Sequence, residues 1–153
     1  MARLDRMPKQ ERDHLLCLPC PTYDTTPWVD GPPLFMQRVA MVTTAGLHRR
    51  RDRPYGPGEV DYRIIPRETG ASDLVMSHIS SNFDRTGFQQ DWNVVFPLDR
   101  LRELADSGTI DSLADFHYAF MGATDPRQLE GTVRDLAAIM KNDGVNAVLL
   151  VPV

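Results

Sequence analysis

The run Asn146-Ala147-Val148-Leu149-Leu150-Val151-Pro152-Val153 closes the sequence and decides the fold. Aliphatic and β-branched residues fill this run, and Asp143-Gly144 precedes it as a turn. A continuous apolar run of this length is typical of a parallel strand that is covered on both faces. In open α/β sheets, ligands gather just beyond the carboxyl ends of such strands. The sequence therefore predicts a buried strand whose functional end lies at Val153.

Length and composition indicate one globular domain with its own core. The chain has 153 residues, of which 42% are hydrophobic and 25% charged, and these proportions are ordinary for a soluble protein. The net charge of −4 gives no support for nucleic-acid binding. No apolar run approaches the roughly 18 residues of a membrane span, and the charged residues 1–13 do not form a secretory signal. We therefore expect a cytoplasmic protein with neither a nucleic-acid nor a membrane partner.

Strand and helix patterns alternate along residues 38–153. Apolar runs predict strands at 38–44, 62–66, 73–77 and 116–121, with the strand at 62–66 near a sheet edge because Pro66 closes it. A helix is predicted after Pro97, and the clearest helix begins at Asp125, with Pro126 at its first position and Gln128 completing a capping-box pattern. This alternation favours a three-layer α/β domain with a mainly parallel sheet, of the Rossmann or flavodoxin-like kind.

Residues 1–37 read as an arm outside this domain. Residues 1–16 allow a short helix, and the arm is proline-rich from residue 17, with five prolines in 17–37 that favour an extended chain. We expect four apolar residues of the arm to pin it to the domain surface: Tyr23, Trp28, Leu34 and Phe35. The predicted division is therefore an arm at 1–37 and an α/β domain at 38–153.

The two cysteines form a single Cys17-Leu18-Pro19-Cys20 motif. One such pair gives weak support for zinc, which needs four ligands. A thioredoxin-like motif opens a helix after a strand, whereas this one lies among prolines. We interpret the two thiols as incidental and keep a redox pair as the alternative.

The predicted crevice follows the first strand. Thr43-Thr44-Ala45-Gly46-Leu47-His48 is a stretch of small residues with a glycine, which allows backbone amides to approach a ligand. It matches neither a dinucleotide fingerprint nor a Walker motif. We predict that Thr43, Thr44 and Gly46 bind substrate.

Three histidines stand near predicted strand ends: His48, His78 and His117. His48 and His78 are the catalytic candidates, because neighbouring parallel strands would bring them to one crevice. The plainer alternative is that all three are hydrogen-bonded loop or core residues. A three-histidine zinc enzyme is a weaker hypothesis, since no short-range ligand spacing supports it, and no metal is expected.

Five segments, taken together and in this order, resemble a known protein family, although no single segment is distinctive. In order, they are 38–48 (RVAMVTTAGLH), 61–66 (DYRIIP), 91–101 (DWNVVFPLDRL), 117–122 (HYAFMG) and 145–153 (VNAVLLVPV). Together they resemble the glycine/sarcosine/betaine/D-proline reductase selenoprotein B family over roughly residues 19–153. The resemblance implies reductive cleavage of a carbon–nitrogen bond in a small amine or amino-acid-like substrate. It also implies companion subunits that supply a pyruvoyl group or a thioredoxin-linked electron path, while homo-oligomerisation stays open.

The family's redox residue is missing from the sequence. The resemblance places a selenocysteine, or a cysteine, directly after a strand like 147–153, so none of the 153 residues corresponds to it. Selenocysteine is encoded by UGA, which is ordinarily read as a stop codon. We therefore expect an α/β domain truncated at its C-terminal side, with no cofactor in this chain and a selenocysteine after Val153 in the full protein.

A second hypothesis comes from another class of protein. The chain is then complete at Val153 and serves as a non-catalytic binding or scaffold subunit. Its proline-rich arm and its bare sheet edge become the partner surfaces.

Overall fold

The computed structural model describes residues 4–19, 22, 24–26, 28–80 and 85–153. The strands in these ranges are β1 (Arg38–Thr43), β2 (Leu47–Arg49), β3 (Arg63–Pro66), β4 (Leu74–Met76), β5 (Ser112–Leu113), β6 (Phe116–Ala119) and β7 (Ala147–Val151). The α-helices are α1 (Lys9–Leu16), α2 (Thr86–Gln90), α3 (Leu98–Asp106) and α4 (Glu130–Asn142). Short 3₁₀ helices lie at Leu4–Arg6, Leu34–Met36, Ala71–Asp73, Trp92–Val94 and Pro126–Leu129.

β1 is the centre of the main sheet. On one side it pairs in parallel with β7, in a register that runs from Val39–Ala147 to Thr43–Val151. On the other side it pairs in parallel with β5 and then with β6. β3 lies at the far edge, antiparallel to β6. The prediction of a mixed α/β fold with a mostly parallel sheet is confirmed, and the three-layer flavodoxin-like arrangement stays a prediction.

The two faces of this sheet bury different apolar clusters. Val39 and Met41 of β1 belong to a large cluster that includes Leu98 and Leu101 of α3. Tyr118, Phe120 and Leu136 form the second cluster, in which α4 contributes Leu136. Successive strand residues point to opposite faces, so a run of consecutive apolar residues serves both clusters.

β7 is less covered than the sequence predicts. Its parallel orientation is confirmed, but among the described strands it pairs with β1 alone and forms an edge of the sheet. Val148 and Leu149 are exposed, and Leu150 keeps 68% of its surface accessible. The prediction that both faces of this strand are covered is therefore wrong for the described residues.

α4 follows the sequence prediction closely. The Asp125 side chain accepts a hydrogen bond from the Arg127 amide at 3.0 Å, as an N-terminal cap does. Pro126 begins a short 3₁₀ turn that continues into α4, so the helical segment starts where the Asp-Pro pair predicts. Gly144 ends it with a φ of 72°, a left-handed conformation that glycine adopts without strain.

β2 and β4 form a separate two-stranded antiparallel ribbon next to the main sheet. The sequence predicts β4 but assigns 47–49 to a loop. Because β2 has only three residues, it contains too few positions for an alternating pattern to show. The turn at Gly46 places β2 directly after β1, and this turn helps to form the site.

Three of the four apolar arm residues predicted to pin it to the domain do not do so. Trp28 is 86% exposed, and Leu34 and Phe35 are also exposed, so the prediction is wrong for these three. Tyr23 lies outside the described residues. The arm is tied instead by polar contacts at its end, where Asn146 donates a hydrogen bond to the Met36 carbonyl at 3.1 Å. The reason is geometric, because an extended proline-rich chain has few amide donors and projects its side chains away from one common face.

No helix in the described ranges is long and apolar enough to cross a membrane.

Candidate functional site

A cavity of about 670 Å³ opens at the carboxyl end of β7. Its core wall consists of Val153, His78, Ser80 and the loop that follows β6, residues 122–127. Its second wall comes from the end of α1 and the residues after it: His14, Leu15, Leu18 and Pro19. The cavity therefore lies where parallel strands end, as the general rule for α/β sheets predicts.

Thr44 holds the last residue of the sequence in this wall. The Val153 amide donates a hydrogen bond to the Thr44 hydroxyl at 2.8 Å. The same hydroxyl oxygen lies 3.3 Å from the Val153 carbonyl oxygen, to which it donates. The Thr44 side chain thus binds the backbone of Val153, just beyond the end of β7.

Gly122 is the point at which three segments meet. A Cβ at this residue would lie 2.7 Å from the Thr44 carbonyl oxygen and 3.0 Å from both His78 Nε2 and the Val153 carbonyl oxygen. Only a residue without a side chain permits this approach. His78 Nε2 and the end of β7 therefore lie next to the same small patch of backbone.

His78 is a titratable group beside the strand end. Its ring is buried, and Nδ1 accepts a hydrogen bond from the Ser80 amide at 3.2 Å, so the neutral ring carries its proton on Nε2. The Arg85 guanidinium donates to the His78 carbonyl oxygen. Burial, and to a lesser degree the charge of Arg85, lower the pKa of His78 below its usual 6.5. The ring is therefore mainly neutral at pH 7, with the Nε2 proton on the side of Gly122.

Gly46 sets the distance between the ribbon and the sheet. Its φ of 64° lies in the left-handed region, and a Cβ there would lie 3.0 Å from the backbone Cα and N of His78. Its amide donates to the Phe120 carbonyl at 2.9 Å, while its carbonyl accepts from the Ser77 amide at 3.1 Å. Gly46 thus joins the end of β1 to the segment that carries His78.

The other two sequence-predicted residues lie away from the cavity wall. The Thr43 hydroxyl is buried, donates to the Val95 carbonyl at 2.8 Å and accepts from the Ala45 amide at 3.2 Å. His48 is buried in β2, its Nδ1 lies 2.8 Å from the Arg49 carbonyl, and its ring meets Tyr55 edge-on at 6.5 Å between centroids. The structure thus places Thr44 at the strand end and Gly46 against the backbone of His78, and it keeps Thr43 and His48 elsewhere.

The third histidine and Cys17 do not line the cavity. His117 is fully buried in the core, where Nδ1 accepts from the Met41 amide at 3.1 Å. Within the described part of the chain, no group of three or more His, Cys, Asp or Glu side chains could hold a metal ion. Cys17 is exposed, and Cys20 lies outside the described residues.

Sequence reasoning missed the loop 122–127 and the contribution of α1. Gly122 follows a predicted strand, and this position is the one signal that could have identified the loop. Nothing local in residues 14–19 indicates contact with a strand more than a hundred residues away.

Comparison with known proteins assigns this arrangement to a family. The family model of glycine/sarcosine/betaine reductase selenoprotein B matches residues 62–153, which include His78, Gly122 and all of β7. The chain belongs to this family.

Two curated relatives of this family member support the assignment. The D-proline reductase subunit gamma of Acetoanaerobium sticklandii is 36% identical over 115 residues, which are 73% of this chain and 47% of the relative. The sarcosine reductase complex component B subunit beta of Peptoclostridium acidaminophilum is 30% identical over 119 residues, 74% of this chain and 27% of the relative. The chain thus spans about half and about a quarter of these relatives. No solved structure matches it.

Proposed function

We propose that this selenoprotein B family member is a component of a reductase that cleaves a carbon–nitrogen bond in a small amine or amino-acid-like substrate. One observation supports this most strongly: the family match extends through β7 to Val153, where the cavity opens. The substrates of the relatives, D-proline and sarcosine, set the substrate class to be tested. The division into an arm at 1–37 and an α/β domain at 38–153, of flavodoxin-like kind, is part of the same proposal.

The resemblance places the reacting selenol or thiol directly after β7, and the residues around Val153 fit such a group. They provide a cavity of about 670 Å³ and a buried imidazole whose Nε2 lies beside the strand end. When present, a selenolate or thiolate there would supply the nucleophile, and a dithiol reductant acting through the companion subunits would supply the two electrons. Within this chain, Thr44 orients the strand end and His78 faces it.

His78 is the residue that we assign to hydrogen bonding with the reacting group at this place. Because burial lowers its pKa, the ring stays neutral at pH 7 and keeps a proton on Nε2. A neutral imidazole in this state can donate the Nε2 hydrogen bond to a developing anion. His48, which is buried next to Tyr55, lacks this access to the cavity.

Companion subunits complete the proposal. Both relatives are named as subunits, one of them within a reductase complex. The exposed aliphatic edge of β7 and the exposed apolar residues of the arm are surfaces suited to such partners. A cytoplasmic location is consistent with this role.

The first experiment is to read the gene beyond the codon for Val153. An in-frame UGA or a cysteine codon, followed by an open frame with α/β patterning, supports the reductase component. A UAA or UAG codon, or a frame that does not continue, overturns it and favours the alternative of a non-catalytic scaffold subunit. The exposed edge of β7 is the observation that supports that alternative.

The second experiment measures turnover by the complete component together with its companion subunits. D-proline, sarcosine, betaine and glycine are offered with a dithiol reductant, and amine products are followed by mass spectrometry. His78→Asn is expected to lower turnover by roughly a hundredfold or more, while His48→Asn leaves it within a few-fold. A loss confined to His48→Asn would move the hydrogen-bonding role to that residue. Absence of cleavage of all four substrates by the unmodified component would refute the proposed function.

A further inference from the structure

The backbone ladder between β1 and β7 stops at Pro152. The last regular bond runs from the Thr44 amide to the Val151 carbonyl at 3.2 Å. Proline has no amide proton, so Pro152 cannot continue a ladder of N–H donors. Without another anchor, the chain beyond Val151 would be free to leave the sheet at the mouth of the cavity.

The Thr44 side chain supplies that anchor. Its hydroxyl oxygen accepts the Val153 amide proton at 2.8 Å, and the hydroxyl lies 3.3 Å from the Val153 carbonyl oxygen, to which it donates. One hydroxyl thus serves both the donor and the acceptor of the residue that follows the proline. A side chain of the same shape without the hydroxyl, such as valine, can do neither.

Gly122 fixes Thr44 from the opposite side. The Gly122 amide donates to the Thr44 carbonyl at 2.8 Å. A Cβ at Gly122 would approach that carbonyl oxygen to 2.7 Å, which is too close for any real contact, and would lie 3.0 Å from His78 Nε2 and from the Val153 carbonyl oxygen. Any side chain here must therefore displace the Thr44 carbonyl oxygen and crowd the other two groups.

We propose that Thr44 and Gly122 are positioning residues that hold the chain at Val153 beside the His78 ring. They act on the geometry of the site through backbone contacts and take no part in bond breaking. The consequence for catalysis rests on the proposed function, because it requires the reacting group to follow Val153. The geometric part stands independently and is tested separately.

The structural test uses Thr44→Val, Thr44→Ser and Gly122→Ala in the 153-residue protein, with Thr43→Val as the matched control. The Thr43 hydroxyl is equally hydrogen-bonded but serves Val95 and Ala45. Amide exchange at Val153 and the pH titration of the His78 ring are followed by NMR. Thr44→Val and Gly122→Ala are expected to speed Val153 exchange roughly fivefold or more, the factor for one lost hydrogen bond. Thr44→Ser and Thr43→Val should leave it within about twofold.

The functional test repeats these variants in the complete reductase component. Because a misplaced strand end affects the reacting geometry more than substrate binding, Thr44→Val should lower kcat by about tenfold or more with KM little changed, and Thr44→Ser should restore kcat. Unchanged Val153 exchange in Thr44→Val overturns the anchor itself. Faster exchange with unchanged kcat overturns its role in positioning and leaves the proposed function intact. If the unmodified component is inactive, the proposed function is refuted, but the amide-exchange data still decide whether Thr44 anchors Val153.

Discussion

Acid should weaken this fold through one core histidine. His117 is fully buried in β6, and its Nδ1 accepts a hydrogen bond from the Met41 amide at 3.1 Å, while its ring meets Phe96 edge-on at 6.1 Å. Burial is the main cause that lowers the pKa of His117 from 6.5 to about 4. Protonation would remove the acceptor that Met41 requires and would place a charge in an apolar environment.

The sign and size follow from proton linkage. Between the two pKa values the unfolded chain binds more protons than the folded one, so the free energy of unfolding falls as pH falls. The contribution of His117 is complete above pH 6.5 and is lost progressively as pH falls through the folded value of about 4. At 1.36 kcal/mol per pKa unit, the full loss is about 3 kcal/mol, of which about 2 kcal/mol is lost between pH 7.5 and 5.

Urea unfolding of the wild-type protein and of His117→Gln, at half-unit steps from pH 7.5 to 5, measures this contribution. Glutamine keeps a hydrogen-bond acceptor but does not titrate, so the decrease in stability with falling pH should be smaller in the variant by about 2 kcal/mol. His14→Gln changes an exposed histidine and serves as the matched control. Because His78 also has a lowered pKa, a residual slope is expected in His117→Gln. Equal slopes in the wild type and His117→Gln would refute the reasoning.

Three further predictions test other contacts of the sheet. Arg38→Met should lower the free energy of unfolding in urea by about 2–4 kcal/mol, because the guanidinium donates hydrogen bonds to the Asp143 carboxylate and to two backbone carbonyls. The control Arg134→Met removes an exposed ion pair and should change this free energy by no more than about 0.5 kcal/mol. Equal costs would contradict the assignment of Arg38. Gly46→Ala should lower the free energy of unfolding by about 1–2 kcal/mol and shift the NMR signals of His78, because the φ of Gly46 is 64° and the new Cβ would lie 3.0 Å from the His78 backbone. Unchanged His78 signals would rule out this coupling. Leu150→Glu should change the free energy of unfolding by no more than about 1 kcal/mol, because Leu150 is exposed, and it should reduce self-association measured by light scattering. Increased self-association would contradict the role of this exposed edge.

Strands with long apolar runs could be predicted from the sequence, because their period and composition are local signals. β1 and β7 follow from such runs, and the start of the α4 segment follows from Asp125 and Pro126. The antiparallel pairing of β3 and the existence of β2 depend on contacts between distant segments. The sequence does not encode these contacts in any short window.

The site could be predicted only in part, for the same reason. Thr44, Gly46 and His78 follow strands, so their place near a strand end was accessible to sequence reasoning. Gly122 owes its importance to the carbonyl oxygens of Thr44 and Val153, which come from opposite ends of the domain. His48 is the opposite case. Its position after β1 in the sequence suggests a crevice residue, but its ring is buried against Tyr55.

The two walls of the cavity differ in how they can change during evolution. The core wall contains the chain directly after β7 and the loop after β6, so most substitutions there disturb the end of β7 or the close approach at Gly122. The other wall, residues 14–19, lies outside the matched family segment of 62–153, and α1 contains no buried residue. Substitutions there alter the shape and charge of the entrance at little cost to folding. Members of the family can therefore differ in the shape and charge of this entrance through changes in a short amino-terminal segment.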